Sequence, residues 1–139
     1  MNIYFSCSIT GGRQDQHIYQ AIVDTLLRDG HTIPTAHLSF ANVMDKETVV
    51  HSDEVYTRDV LWVKECDALI AEVSTPSHGV GYEIAIGLFL HKPVLCVFQY
   101  GRRVSKMITG NDSPTLHIYA YRSFEDLMPA MNNFLSSIN

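Results

Sequence analysis

Long apolar runs are missing from this chain of 139 residues, and none approaches the length a helix needs to cross a bilayer, so no membrane association is expected. The first residues, Met1 to Ser6, have no basic region and run straight into strand-like sequence, which does not read as a signal peptide. Cysteine is scarce. Cys7, Cys66 and Cys96 form no CxxC or Cys/His pattern that would hold zinc, their number is odd, and each lies in or beside an apolar segment. Three reduced, buried thiols in a cytoplasmic protein (or a nuclear one in a eukaryote) are the expectation. The seven histidines are scattered without an HxxxH pair, so no metal or other cofactor is expected. Basic residues are few: 10 Lys and Arg against 15 Asp and Glu give a net charge of −5, which argues against a nucleic-acid surface. Repeats, linkers, low-complexity tracts and the GxGxxG dinucleotide fingerprint are absent too, so residues 1–139 read as a single domain.

What is present is an alternation of short apolar runs and helical periodicity. Strands are expected at 3–9, 31–37, 67–73, 94–98 and 116–120, and helices at 14–28, 52–65, 84–90 and from Ser123 onward. Pro34 confines the second strand to an edge or ends it. Residues 38–51 lack clear periodicity and read as a loop with room for a short helical piece; it is either a substrate lid or a variable excursion. The order βαβαβαβαβα predicts an α/β, Rossmann-like sheet of about five parallel strands in flavodoxin-like order, with helices on both faces and right-handed crossovers.

The chain is organised around Ser74-Thr75-Pro76-Ser77-His78-Gly79-Val80-Gly81-Tyr82-Glu83, a strand-to-helix turn of the kind at which open α/β sheets bind ligands. Ser77, the glycines and the free N–H groups of a helix start suit a small anion. Glu83 is expected in the first helical turn, where the helix dipole favours its ionised form. Asp59 has Val55, Tyr56, Trp62 and Val63 as helical neighbours. It is either desolvated, and so a plausible proton donor, or at the edge of the apolar stripe reaching water. Glu54 and Arg58 have the spacing of an i,i+4 pair. Glu72, at the end of a strand, is a further candidate carboxylate. The run Gly101-Arg102-Arg103-Val104-Ser105-Lys106 is either a solvated basic loop or a phosphate contact.

Several stretches taken together resemble a known family. They are Tyr4-Phe5-Ser6-Cys7-Ser8-Ile9-Thr10-Gly11-Gly12-Arg13, Asp59 with Trp62, Ala71-Glu72-Val73, the block Pro76-Ser77-x-Gly79-Val80-Gly81-Tyr82-Glu83, and Gly101-Arg102-x-x-Ser105-x-Met107-Ile108. Nearly the whole chain resembles the 2′-deoxynucleoside 5′-phosphate N-hydrolases of the nucleoside 2-deoxyribosyltransferase superfamily. The resemblance implies cleavage of the N-glycosidic bond of a deoxynucleoside 5′-monophosphate to a free base and 2-deoxyribose 5-phosphate. Glu83 would attack C1′ to form a glycosyl-enzyme, Asp59 would act as general acid/base, and Tyr4 would lie near the sugar and favour a 2′-deoxy substrate. Ser77 and a partner subunit's Ser105 would bind the 5′-phosphate, and Ser8, Ile9, Thr10, Gly11, Gly12 and Gly79 would help enclose the nucleotide. His37 matches a histidine near the pocket in some relatives, and Tyr56 belongs to the region that would wall the base. A homodimer is implied. Thr10 stands where some relatives carry arginine.

The chemistry asks for the same residue types. Breaking an N-glycosidic bond builds positive charge on the sugar and negative charge on the base, so it needs one carboxylate at C1′ and a proton donor at the base. On these residues Glu83 is the charged group and Asp59 the donor. Rival readings are a nucleoside 2-deoxyribosyltransferase, a pyrimidine ribonucleoside monophosphate hydrolase, and a non-catalytic nucleotide sensor on the same fold.

Overall fold

Alternation along the strands decides which helix covers which face of the sheet. The computed structural model describes residues 1–138. Its strands are β1 (Ile3–Ser6), β2 (Ala68–Glu72), β3 (Val94–Gln99) and β4 (Leu116–Tyr121), all parallel and adjacent in that order. Ile3, Phe5, Ala68, Ile70, Leu95 and Val97 point to one face. There they meet α1 (Gln16–Arg28) through Tyr19, Ile22, Val23 and Leu26, and α6 (Phe124–Ser137) through Leu127, Met131, Phe134 and Leu135. Tyr4, Leu69, Ala71, Val94 and Cys96 point to the other face, against Val63 of α3 (Ser52–Glu65) and Val80 and Ile84 of α4 (His78–Phe89). β1, β2 and the first four residues of β3 are buried on both faces, as the near-continuous apolar runs require of a covered parallel sheet.

The sheet has four strands where about five were expected. The missing one is the stretch from His31 to His37, which makes a single parallel bridge, Asn2↔Thr32, and then leaves the sheet. Pro34 has no N–H to continue a ladder, and the hydroxyl of Thr35 instead accepts from the Phe5 N–H at 3.0 Å. The chain turns into a 3-10 helix at Ala36–Ser39 and a short α2 (Val43–Glu47), the helical piece for which the 38–51 stretch had room. The bridge lies outside β1, so the flavodoxin-like order survives with its second strand reduced to one contact.

Two further details complete the helical layer. α4 lies close on the strands at Gly87, where a Cβ would meet Leu69 and Val94 side chains at 3.4 Å. The short α5 (Lys106–Thr109) is capped by Ser105, whose Oγ accepts from Met107 N at 3.2 Å. Cys7, Cys66 and Cys96 are buried free thiols; burial pushes Cys7 and Cys96 up to about 12, which keeps them protonated and unreactive. Among the described residues no helix is long and apolar enough to cross a membrane.

Candidate active site

Tyr4 and Ser6 are two residues apart on β1 and so share the face covered by α3 and α4. Glu83, on α4, turns its carboxylate into that face. Ser6 Oγ donates to Glu83 Oε2 in a short hydrogen bond. The motif that contains Ser6 assigns it no role; its parity with Tyr4 is the signal in the sequence that places it on the same face. The Tyr4 hydroxyl is fully buried beside the Glu83 and Asp59 carboxylates, yet it makes no hydrogen bond of regular geometry. Burial, and then those two negative charges, raise its pKa far above the ordinary phenol value, so it stays protonated, a donor facing the Glu83 carboxylate.

The helix begins earlier than the apolar pattern suggested. Ser77 is the N-cap, its Oγ accepting from Val80 N at 3.4 Å, and His78 is the first helical residue. Gly79 and Gly81 are therefore helical rather than loop glycines, and Glu83 falls in the second turn. That changes its electrostatics, because the dipole acts mainly within the first turn. Burial dominates and pushes the Glu83 carboxyl up to about 7, with the Ser6 and Tyr4 hydroxyls pulling the other way and the Asp59 charge adding to the rise. The expectation that the helix start would hold Glu83 firmly ionised is corrected accordingly.

Asp59 is not left alone among apolar neighbours. Arg58 Nε donates to Asp59 Oδ1 at 2.8 Å, and the Arg58 guanidinium also reaches both oxygens of Glu47 at 3.2 Å. Glu54 does not take part, so the expected Glu54–Arg58 pair is replaced by Glu47–Arg58–Asp59. His37 does not line the cavity described below; its Nε2 lies 2.9 Å from Glu47 Oε1, and its ring is edge-on to Trp62. The environments of the two acids are the reverse of those anticipated: burial falls on Glu83, and the ion pair on Asp59.

Both acids line one cavity of about 510 Å³, together with Tyr56, Gly79, Tyr82 and an apolar wall that includes Val55, Val60, Val63 and Ile86. Gly79 carries no side chain that would narrow it, and a Cβ there would meet only Ser77 Oγ, at 4.0 Å. The Tyr56 and Tyr82 rings stand 6.3 Å apart at the edge of the cavity and are exposed. The turn from Ser8 to Gly12, which includes Ile9 and Thr10, follows β1 and abuts Pro76. A Cβ on Gly11 would lie 2.2 Å from the Pro76 carbonyl oxygen, so only glycine permits that approach. Ser8 Oγ is buried under Gly11 and unpartnered. Arg13 braces this turn from behind, donating to the carbonyls of Ser8 at 3.0 Å and Phe40 at 2.9 Å. Ser105 is exposed and is not among the residues lining the cavity.

Glu72 belongs elsewhere. It shares strand parity with Ile70 and points to the α1/α6 face, where Tyr121 OH donates to it at 2.9 Å and Ser74 donates through both its hydroxyl and its N–H. Burial pushes it up to about 7. Beside it, buried Asp15 accepts from Thr75 Oγ1 at 2.9 Å and Gln99 Nε2 at 2.8 Å, and Arg102 stands 3.5 Å away. Arg102 of the basic run thus ties its loop to the 74–76 turn. Among the described residues no group of three or more His, Cys, Asp and Glu side chains is arranged to hold a metal ion.

Residues 3–131 match the model of the nucleoside 2-deoxyribosyltransferase family. A Danio rerio protein named 5-hydroxymethyl-dUMP N-hydrolase is 40% identical over 129 residues, covering 90% of each chain. The Mus musculus protein of the same name is 39% identical, covering 89% of this chain and 74% of its own. In fold, the chain is similar to a Clostridium botulinum CMP N-glycosidase, with a TM-score of 0.71, 16% identity, and coverage of 96% of this chain and 99% of the other.

Proposed function

This chain belongs to the nucleoside 2-deoxyribosyltransferase family, and from that premise we propose that it hydrolyses the N-glycosidic bond of 2′-deoxynucleoside 5′-monophosphates, releasing the base and 2-deoxyribose 5-phosphate. The observation that carries the reading is the meeting of Glu83 and Asp59 in one cavity with the free Tyr4 hydroxyl behind them. Relatives named as hydrolases of a deoxynucleoside monophosphate support the substrate class.

Each residue then has a step. Glu83 attacks C1′ as the C1′–N bond breaks, and its carboxylate ends in an ester to the sugar. The bonding electrons leave with the base, which takes the proton that Asp59 carries on Oδ2, the oxygen that Arg58 does not engage. In the second half, Asp59 removes a proton from water as the water attacks C1′, and Glu83 is released. Tyr4 OH donates at the sugar or at the Glu83 oxygen, where a 2′-hydroxyl would crowd it. The phosphate is received by the Ser77 hydroxyl, whose proton remains free while its oxygen caps Val80, by Ser8 Oγ and by the N–H groups around Gly11 and Gly79. Thr10 adds no positive charge at that end.

The active form is a homodimer, with the partner subunit's Ser105 closing over the phosphate. Support comes from the exposed apolar side chains beside the cavity, Tyr56 and Tyr82, and from Phe89 and Met107, which are 84% and 83% exposed.

The test is a panel of deoxy- and ribonucleoside monophosphates and their unphosphorylated nucleosides, with base release followed by chromatography. Deoxynucleoside monophosphates should be cleaved fastest. Equal rates on nucleosides, or transfer of the sugar to an added second base in preference to water, would move the chain to the transferase branch. No base release from any nucleotide would leave a binding module.

A further inference from the structure

Arg58 precedes Asp59 on α3, and successive side chains on a helix point about 100° apart. They do not normally meet. Here the arginine is pulled round from its far end. Its Nη1 and Nη2 donate to the two oxygens of Glu47 at 3.2 Å, and Glu47 Oε1 is itself held 2.9 Å from His37 Nε2. The guanidinium lies over the Trp62 ring, 4.9 Å from its centroid, and His37 packs edge-on against the same ring. Drawn back in this way, Arg58 presents Nε to Asp59 Oδ1 at 2.8 Å, and it does so largely out of solvent, with 25% of its side chain and 13% of that of Glu47 exposed. Burial alone would raise the Glu47 carboxyl, but hydrogen bonds from Arg58 and His37 outweigh it and hold the group below its usual range. The clamp is therefore charged at both ends.

We propose that Arg58 is a positioning residue for Asp59. Clamped by Glu47, with His37 and Trp62 behind it, it fixes the direction in which the Asp59 carboxylate enters the cavity. Neither Arg58 nor Glu47 lines that cavity, so both act through Asp59. The stretch from His37 to Glu47 then has a function that its irregular pattern concealed. It is a brace docked on α3 that holds the acid/base in line. A planar fork is the side chain for this task, because one group must reach two carboxylates in fixed directions; a lysine ammonium supplies the charge without the fork.

The inference rests on Asp59 being the acid/base of the proposed hydrolase, and the experiment separates the two. Asp59→Asn, Arg58→Gln, Arg58→Lys, Glu47→Gln and the double variant Arg58→Gln/Asp59→Asn are compared in deoxynucleoside monophosphate hydrolysis, with thermal melting to confirm folding. A misaligned catalytic group costs up to roughly a hundredfold in rate. Arg58→Gln should lower kcat by about ten- to a hundredfold with KM within about threefold, Arg58→Lys should recover little of it, and Glu47→Gln should lose less. The double variant should be no slower than Asp59→Asn alone. Losses that multiply in the double variant, or a wild-type kcat in folded Arg58→Gln and Glu47→Gln, would overturn the positioning role while leaving the hydrolase reading intact. A wild-type rate in Asp59→Asn would overturn the acid/base role of Asp59 and the positioning role with it, and no hydrolysis by the wild-type chain would overturn the hydrolase reading itself.

Discussion

In the proposed reaction Glu83 carries the most demanding chemistry, and its surroundings set when it is ready. A nucleophilic carboxylate must be ionised, and burial has moved this one up to about 7. The sign is direct: kcat/KM, which reports the free enzyme, should fall as pH drops below about 7, rather than below the ordinary glutamate value. Glu83→Gln should abolish turnover at every pH and keep the fold, since the amide still accepts from Ser6. Base release at near-normal rate by this variant would show that Glu83 is not the nucleophile. Tyr4 makes the opposite kind of prediction. Its hydroxyl is buried and makes no hydrogen bond of regular geometry, so Tyr4→Phe removes a poorly satisfied polar group and should leave stability unchanged within about 0.5 kcal/mol, or raise it. Turnover should nevertheless fall and the deoxy/ribo rate ratio narrow. A large drop in melting temperature with an unchanged ratio would make Tyr4 a packing residue only. Tyr4, Asp59 and Glu83 were legible as candidates from residue type and motif. The protonation of Glu83 was not, because it depends on how much of α4 precedes it and on what lies over it.

Strand parity sorts the carboxylates at the level of elements. On β2, Leu69 and Ala71 face α3 and α4, and Ile70 and Glu72 face α1 and α6. Glu72 is thereby excluded from the cavity and enclosed with Ser74 and Tyr121. Its folded-state pKa is raised, as is that of Glu83, from the ordinary 4.5 to about 7. Such groups favour the fold fully below the unfolded value and lose that contribution as pH rises through the folded one. Between about pH 4.5 and 7 this protein should therefore become less stable on these two groups' account. Glu72→Gln mimics the protonated form, so the gap between denaturant midpoints at about pH 5 and about pH 8 should shrink. An unchanged gap would mean that Glu72 ionises without cost. Parity was available from the alternation of residues. The loss of the second strand was harder to anticipate: Pro34 signalled an edge, but the Thr35 hydroxyl taking the place of a ladder acceptor is a tertiary event.

For the whole molecule, the proposed dimer places the exposed apolar face of α4 and α5 against a second copy. Phe89→Asp combined with Met107→Asp should shift sedimentation to the monomer, lower activity through loss of the partner subunit's Ser105, and leave the monomer fold intact. A wild-type chain that sediments as a monomer at micromolar concentration with full activity would remove the dimer. Composition and pattern alone determined that this chain builds a covered parallel sheet, that its turns cluster at one end, and which motifs carry the resemblance, because these follow from local periodicity and from residue types read in order. Only tertiary structure decided that Arg58 pairs with Glu47 and Asp59 rather than Glu54, that Ser6 reaches Glu83, and that burial rather than a helix dipole governs the Glu83 carboxyl. Those outcomes turn on distances between segments far apart in the chain and on how much water their packing excludes, and neither quantity is encoded in any single stretch.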